Sequence, residues 1–416
     1  MRIAVLAFGL VACSPSPTPV AAERSTPASS PLVETPYAGD VAGHRSPADD
    51  GPDDGADEPR ATSAPEVRLP LIDRYPALAV SLPVAKIGSW PTRVTAHPAL
   101  AAELGLGGLW LKRDDESAEP YGGGKARKLE WLLGRAKADG RHTVITFGGV
   151  GSHHALATSV YAPQHGLRAV LMLLPQPRSP EVREVLLASH ARGAELVMAG
   201  SMKRARRLAE ARRAADPDGV MIVAAGGSEP LGNVGFVSAG IELAEQIDRG
   251  ELPEPDVVYL ALGTMGSAIG LDIGLVAAGR PLPIVAVRAS SRPISTWKKL
   301  SRMHAETVAY VRKRDPSFPE VRLDPARFVV EDRFLGKGYA EPTVAGRHAL
   351  ELGTEHDVSL ELTYTAKAFA ALRAAAGSHL KGKRVLFWQS HAARRLDVSE
   401  VEPTALPAAF RGWVVK

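Results

Sequence analysis

Cysteine is nearly absent from this chain. Cys13 is the only one among 416 residues, so no disulfide can close within the chain and no cysteine-type zinc site can be assembled. Long hydrophobic runs are missing as well. The apolar stretch at residues 3–12 is about half the ~20 residues that a membrane-crossing helix requires. Nor is there an excess of one charge: 50 Lys and Arg stand against 46 Asp and Glu, a net of +4, which argues against a nucleic-acid footprint. The dense basic patch KRARRLAEARR (203–213) alternates with Leu and Ala at helical spacing. It carries no aromatic ring for base stacking, so it reads as the solvated face of a helix. No internal repeat is visible. With 45% apolar residues the chain is long enough for two domains and a sizeable core.

The one cysteine closes the segment MRIAVLAFGLVAC. An arginine, a short apolar run and LVAC fit a bacterial lipobox, in which small residues precede a cysteine that becomes the lipidated N-terminus. The segment is shorter than the ~15–30 residues of an ordinary secretory signal. Residues 13–68 are rich in Pro, Ser, Asp, Gly and Ala, too polar to bury the surface that would offset ordering entropy. The expectation is a lipoprotein-type signal at 1–12 and a disordered tether at 13–68. The protein would then be an exported bacterial lipoprotein on the periplasmic or cell-surface side, touching the membrane only through its lipid anchor. If the signal is not used, it is cytoplasmic.

From about Leu69 the pattern turns globular. LWLKRDD, HTVITFGG, LRAVLMLLP, AELVMAG, GVMIVAAGG, DVVYLALG and PLPIVAVRA read as strands. Between several of them run helical patterns such as KARKLEWLLGRAKADG, where Leu129, Leu132 and Leu133 share a face and Gly140 is the stop. Apolar strands alternating with helices indicate parallel α/β sheets, with loops and ligands at the strand carboxyl ends. Three such ends are rich in glycine: FGGVGSHH (147–154), AAGGSEPLGNVGF (224–236) and LGTMGSAIG (262–270). The third offers bare amides at a helix start, at Gly263 and Gly266, with the hydroxyls of Thr264 and Ser267. That suits a phosphate, although an ordinary capped βα turn explains it equally on residues alone. Lys125 directly follows three glycines, in YGGGKARKLE. A lysine on a pliant loop together with a phosphate cup elsewhere suits pyridoxal phosphate, whose aldehyde forms a Schiff base with lysine. The adjacent pair His153 and His154 is not a metal site on this reading, because neighbours on a helix point about 100° apart and no third ligand is apparent.

The ordered set KRDD…GGGKARKLEWLL, ITFGGVGSHHALAT, GGSEPLGNVGF, LGTMGSAIGL and LTYTAKAFAAL resembles the aminocyclopropane-carboxylate deaminase and D-cysteine desulfhydrase family of fold-type II pyridoxal-phosphate enzymes, over roughly residues 75–395. The resemblance implies an α/β fold: two parallel-sheet domains with the cofactor cleft between them. The larger, cofactor domain would take 69–127 and 236–416, and the smaller 128–235. It places the Schiff-base lysine at Lys125 and the cofactor phosphate on Gly263, Thr264, Gly266 and Ser267. Ser152 would meet the substrate carboxylate or help move a proton. Tyr364 would lie against the pyridine ring, with Thr365 at the ring nitrogen. Tyr339 would be the second site tyrosine; outside the family, both tyrosines read equally as half-buried core residues. Several positions depart from the family: Gly124 and His153 each stand where it has asparagine, and Met265 where it has glycine. Leu156 and Ala157 occupy the place of an arginine, and QSHA (389–392) that of a late H-T-G-G turn. The asparagine replaced by His153 bonds the cofactor's 3′ oxygen in the family. A histidine can still donate there, from a longer, titratable ring.

The implied activity is a lyase or deaminase that releases ammonia and a 2-oxo acid from a small amino acid resembling D-cysteine or 1-aminocyclopropane-1-carboxylate. Two alternatives stand beside it: a lipid-anchored, catalytically altered protein that binds the cofactor or an amino acid, and a cysteine-synthase-like β-replacement enzyme. Relatives of this kind are commonly homodimers.

Overall fold

The aliphatic runs pair mainly in parallel, as strands buried on both faces must. A computed structural model of the chain describes residues 69–414; the expected signal and tether lie outside the described residues. Ten strands are present among the described residues: β1 (Val94–Ala96), β2 (Gly108–Arg113), β3 (Thr143–Gly149), β4 (Arg168–Leu174), β5 (Glu195–Met198), β6 (Val220–Ile222), β7 (Val257–Leu262), β8 (Ile284–Arg288), β9 (Phe328–Glu331) and β10 (Arg384–Gln389). They form a six-stranded sheet of order β1-β2-β10-β7-β8-β9 and a four-stranded sheet of order β5-β4-β3-β6. All neighbours are parallel except the edge pair β1–β2. Strand β10 sits at the centre of the larger sheet, with Leu386 opposite both Trp110 and Val258.

Three short helices, α1 (Pro70–Arg74), α2 (Leu78–Ser81) and α3 (Pro98–Glu103), precede the longer ones. Those are α4 (Lys125–Ala138), α5 (His153–Gln164), α6 (Pro180–Ala191), α7 (Met202–Ala215), α8 (Pro230–Asp248), α9 (Gly266–Ala277), α10 (Trp297–Arg312), α11 (Val344–Glu355) and α12 (Thr365–Ala376). The basic patch lies on α7, where only Ala205 and Ala209 are buried. It is a solvated face, as its spacing indicates.

Helix α4 departs from the simple amphipathic reading. Besides its leucines it buries Arg127, Lys128 and Glu130, and charged groups stay in an interior only when paired or hydrogen-bonded. Glu130 accepts from the Ile87 and Gly88 amides and from Trp90 Nε1. Arg127 forks onto Asp114 at 2.7 and 2.8 Å and onto Glu242 of α8 at 2.9 Å. Glu242 is shared with Lys112 of β2, and Trp388 of β10 donates to Asp114. One ionic cluster therefore ties β2, α4, α8 and β10 together.

Glu242 feels two opposing effects. Burial works against its charge, but Arg127 and Lys112 outweigh burial and hold its pKa near about 2, below the ordinary 4.5. A depressed carboxylate contributes stability that is present above its unfolded pKa and is lost as pH falls through the folded one. Glu242→Ala leaves two buried cations short of a partner and should cost about 3–5 kcal/mol in chemical denaturation. Its deficit should shrink as pH drops from about 4.5 toward 2. A deficit independent of pH in that window would show that Glu242 is not the group that titrates.

Candidate functional site

Strand ends from both sheets converge on one cavity of about 320 Å³. β3 contributes Gly148 and Gly149, β7 leads into Gly263, and β10 leads into Ser390 and His391. All ten residues singled out from sequence, Lys125, Ser152, His153, Gly263, Thr264, Gly266, Ser267, Tyr339, Tyr364 and Thr365, line it.

Lys125 is the first residue of α4. The loop before it passes close to β10: Gly123 takes φ +91°, and a Cβ there would press on the backbone of Ser390 and Ala392, so glycine lets the chain turn into the helix at that spot. No hydrogen bond or ion pair to a described residue ties down the Lys125 amine. Burial lowers its pKa from 10.5, with Glu361 opposing the shift. An amine of that kind is available as a nucleophile.

One turn along, Lys128 faces the loop at Gly263 to Ser267. Lys128 is 1% exposed, and its Nζ meets only Ser228 Oγ at 2.9 Å and the Gly226 carbonyl at 3.2 Å. Burial pushes its pKa well below the ordinary value. Ser228 Oγ in turn joins Thr264 Oγ1 at 2.6 Å and accepts from the Gly266 amide. Gly266 opens α9, and a Cβ there would sit 2.8 Å from Lys128 Nζ. A buried lysine whose hydrogen-bond partners are all neutral, beside the first amides of a helix, suits an anion. The phosphate of pyridoxal phosphate fits that requirement, and Lys125 stands on the same cavity wall for its aldehyde. Lys128 was not singled out from sequence, although its spacing of three from Lys125 puts both on one helix face.

Across the cavity, Tyr364 and Tyr339 join hydroxyls at 3.1 Å. Burial raises both pKa values, so both phenols keep their protons. Thr365 begins α12 and its hydroxyl accepts from the Glu361 amide at 2.9 Å. Glu361 Oε1 accepts from the Tyr364 and Thr365 amides, each at 2.7 Å, and so caps that helix. Ser152 caps α5, accepting from the Ala155 amide; its proton is left for a partner in the cavity.

His153 uses both ring nitrogens in the wall. Nδ1 lies 2.5 Å from the Tyr121 hydroxyl and Nε2 lies 2.8 Å from Glu181 Oε1. The His391 ring packs edge-on at 5.1 Å. Donor atoms of His153, Glu181 and His391 lie within 4.8 Å of one another, a grouping with the third member that the His153–His154 pair lacks in sequence. His154 itself turns inward, with Nε2 on Thr146 Oγ1 at 3.0 Å. Glu181, Glu361 and His391 could not be found by spacing, because each is brought in from a distant element.

A profile described as pyridoxal-phosphate dependent enzyme matches residues 86–390. The chain is 33% identical over 326 residues to nocardicin C-9′ epimerase of Nocardia uniformis subsp. tsuyamanensis, covering 76% of this chain and 94% of the epimerase. It is 30% identical over 322 residues to a putative 1-aminocyclopropane-1-carboxylate deaminase of Pyrococcus horikoshii, covering 75% and 92%. The crystal structure of an ACC deaminase homologue superposes with a TM-score of 0.65 at 26% identity, over 77% of this chain and 94% of that one.

Lys128→Met separates a phosphate role from a purely structural one. Pyridoxal phosphate should bind at least about tenfold more weakly, while pyridoxal, which lacks the phosphate, should bind as before. Without cofactor the variant should be no less stable than the parent, since a buried amine whose charge burial disfavours has gone. Equal affinity for pyridoxal phosphate in parent and variant, by equilibrium titration, would place the phosphate elsewhere.

Proposed function

The chain belongs to the pyridoxal-phosphate dependent enzyme family, with the fold-type II architecture, and from that premise we propose that it removes ammonia from a small amino acid and leaves a 2-oxo acid. The observation that carries this reading is the untethered Lys125 amine in the same cavity as an anion cradle with a buried cation beneath it. Bound pyridoxal phosphate supplies an electron sink for the bond broken next to the amino group.

The chain's own groups do the rest. Lys125 would hold the cofactor's aldehyde and would serve as the base for a substrate C–H proton. Ser152 and the free amides at the start of α5 hold the substrate carboxylate. The Tyr339–Tyr364 pair, protonated on both sides, donates to a leaving group or a departing carbon. Thr365 would offer a hydroxyl rather than a carboxylic acid to the ring nitrogen of a bound cofactor. It cannot hand over a proton there, which favours elimination over transamination. The substituents accepted are those of D-cysteine or 1-aminocyclopropane-1-carboxylate. The similarity to an epimerase supports a second reading, in which the proton taken from the α-carbon returns on the other face and no ammonia leaves. Both readings share the first proton removal.

With cofactor present, D-cysteine or 1-aminocyclopropane-1-carboxylate should yield ammonia and 2-oxo acid in equal amounts. Lys125→Ala should lose the visible absorbance band of the lysine-bound cofactor and at least about a thousandfold in rate. Inverted amino acid without ammonia would select the epimerase reading. A band without turnover of any amino acid would select the binding protein.

We further propose that Cys13 carries the lipid and that residues 13–68 are the tether. No helix among the described residues is long and apolar enough to cross a membrane. Stable attachment would thus require the two or more acyl chains of a lipoprotein-type cysteine. Cys13→Ser should move the protein from the membrane to the soluble fraction, or leave an unprocessed precursor, with the cofactor band unchanged. Parent and variant both uncleaved in the cytosol would remove the anchor from the account.

A further inference from the structure

We propose that Tyr121 is a second acid–base residue of this site, driven through His153 by Glu181. The proposal rests on the amino-acid chemistry argued above only for what the proton is taken from; the relay itself is a matter of geometry. Tyr121 lies in the cavity wall with Lys125, four residues before it. Its backbone is clamped: Tyr161 Oη donates to the Tyr121 carbonyl at 2.5 Å and accepts from the Tyr121 amide at 3.3 Å. Its hydroxyl reaches His153 Nδ1 at 2.5 Å, and His153 Nε2 reaches Glu181 Oε1 at 2.8 Å. Hydroxyl, imidazole and carboxylate thus stand in line, the arrangement that lets a weak hydroxyl exchange protons under the control of a half-buried acid.

The proton count closes without a further reactant. In the resting state Nε2–H donates to Glu181 and Nδ1 accepts the Tyr121 proton. When Tyr121 Oη takes a proton from substrate carbon, the carbon–hydrogen bond breaks and its electron pair stays on the substrate. A new Oη–H bond forms as the old one breaks, and the old proton passes to His153 Nδ1. The imidazolium that results is neutralised by Glu181. In the reverse direction the same chain protonates carbon.

The surroundings suit that role. Burial opposes charge on His153, but the Glu181 hydrogen bond and charge outweigh it, and the His153 pKa is raised. Burial also raises the Tyr121 pKa, so the phenol does not ionise unaided. The other groups that face His153 are His391 after β10, Glu361 ahead of α12 and Lys125 of α4, while Arg395 acts on Glu181. Burial and the nearby His153 hold His391 neutral, with a pKa near about 3, so it adds no competing charge.

Two readouts test the relay on the full chain. The first is a side-chain NMR titration of His153, assigned by His153→Asn and run with and without cofactor. Glu181→Gln should lower the His153 pKa by about one unit or more, and Tyr121→Phe should move the Nδ1 resonance. The second is exchange of the α-proton for deuterium in heavy water, across amino acids of both configurations. Tyr121→Phe should slow exchange about a hundredfold or more. Glu181→Gln should slow it less and shift its pH profile. The double variant should be no slower than Tyr121→Phe alone, since the groups act as one unit. An unmoved His153 titration in Glu181→Gln overturns the relay. So does unchanged exchange in Tyr121→Phe, even if that variant melts earlier, and so do effects that multiply in the double variant. If the parent exchanges no amino acid at all, the amino-acid reading fails, and the titration alone decides whether the relay exists.

Discussion

The grip of Arg127 on Asp114 and Glu242 is the constraint on which the site depends. Lys125, Arg127 and Lys128 lie within one helical turn, so fixing the direction of one fixes the others. Arg127 is forked on two carboxylates and lies 4.0 Å over the Trp90 ring. Its planar guanidinium permits little rotation in such a cage. The opposite side of the turn is thereby set toward the cavity, with Lys125 at the helix start and Lys128 beside the loop at Gly263 to Ser267. The ion cluster is costly to bury and no strong source of stability by itself. Its consequence is orientation: β2, α8 and β10 each hold one of its members, so the larger sheet, α8 and the helix that carries the lysine share one frame.

The two lysines illustrate how burial is used twice with different partners. Lys125 has no close partner, and lowering its pKa leaves an amine able to attack and to accept a proton. Lys128 has only neutral hydrogen-bond partners in Ser228 and Gly226, with Glu229 acting on it without a hydrogen bond, so its charge is poorly balanced until an anion arrives. A phosphate dianion supplies the balance and at the same time weakens the penalty on the Lys128 charge. Cofactor binding and protonation of Lys128 are linked by that mutual attraction.

Much of the frame was legible because doubly buried strands leave uninterrupted aliphatic runs, and β3, β4, β7 and β8 lie within a residue or two of their apolar stretches. Three strands were not read. β1 and β9 are three and four residues long, and β10 is preceded by Lys381, Gly382 and Lys383, which masks its start. Helix α8 was hidden by its own glycines: Gly232, Gly235 and Gly240 suggest a loop, yet they sit where the Gly227 carbonyl, α4 and α9 respectively approach too closely for a side chain. In the site, the lysine and the phosphate loop announce themselves by local spacing. Tyr121, Glu181 and His391 act through contacts between residues 28 or more positions apart, which no local pattern encodes.

Met265 shows how a departure from the family is tolerated. It stands where the resemblance places glycine, at the start of α9, with φ +75° and ψ −33°. A residue with a Cβ spends about 1–2 kcal/mol on a left-handed conformation. The side chain is only 6% exposed and packs in the main core, which contributes about 1.5–3 kcal/mol. Burial therefore matches or exceeds the strain, and the loop keeps its shape with a larger residue. The same logic extends to His153. A longer side chain in place of asparagine reaches past the cavity to Glu181, so this position links the cavity to a half-buried carboxylate.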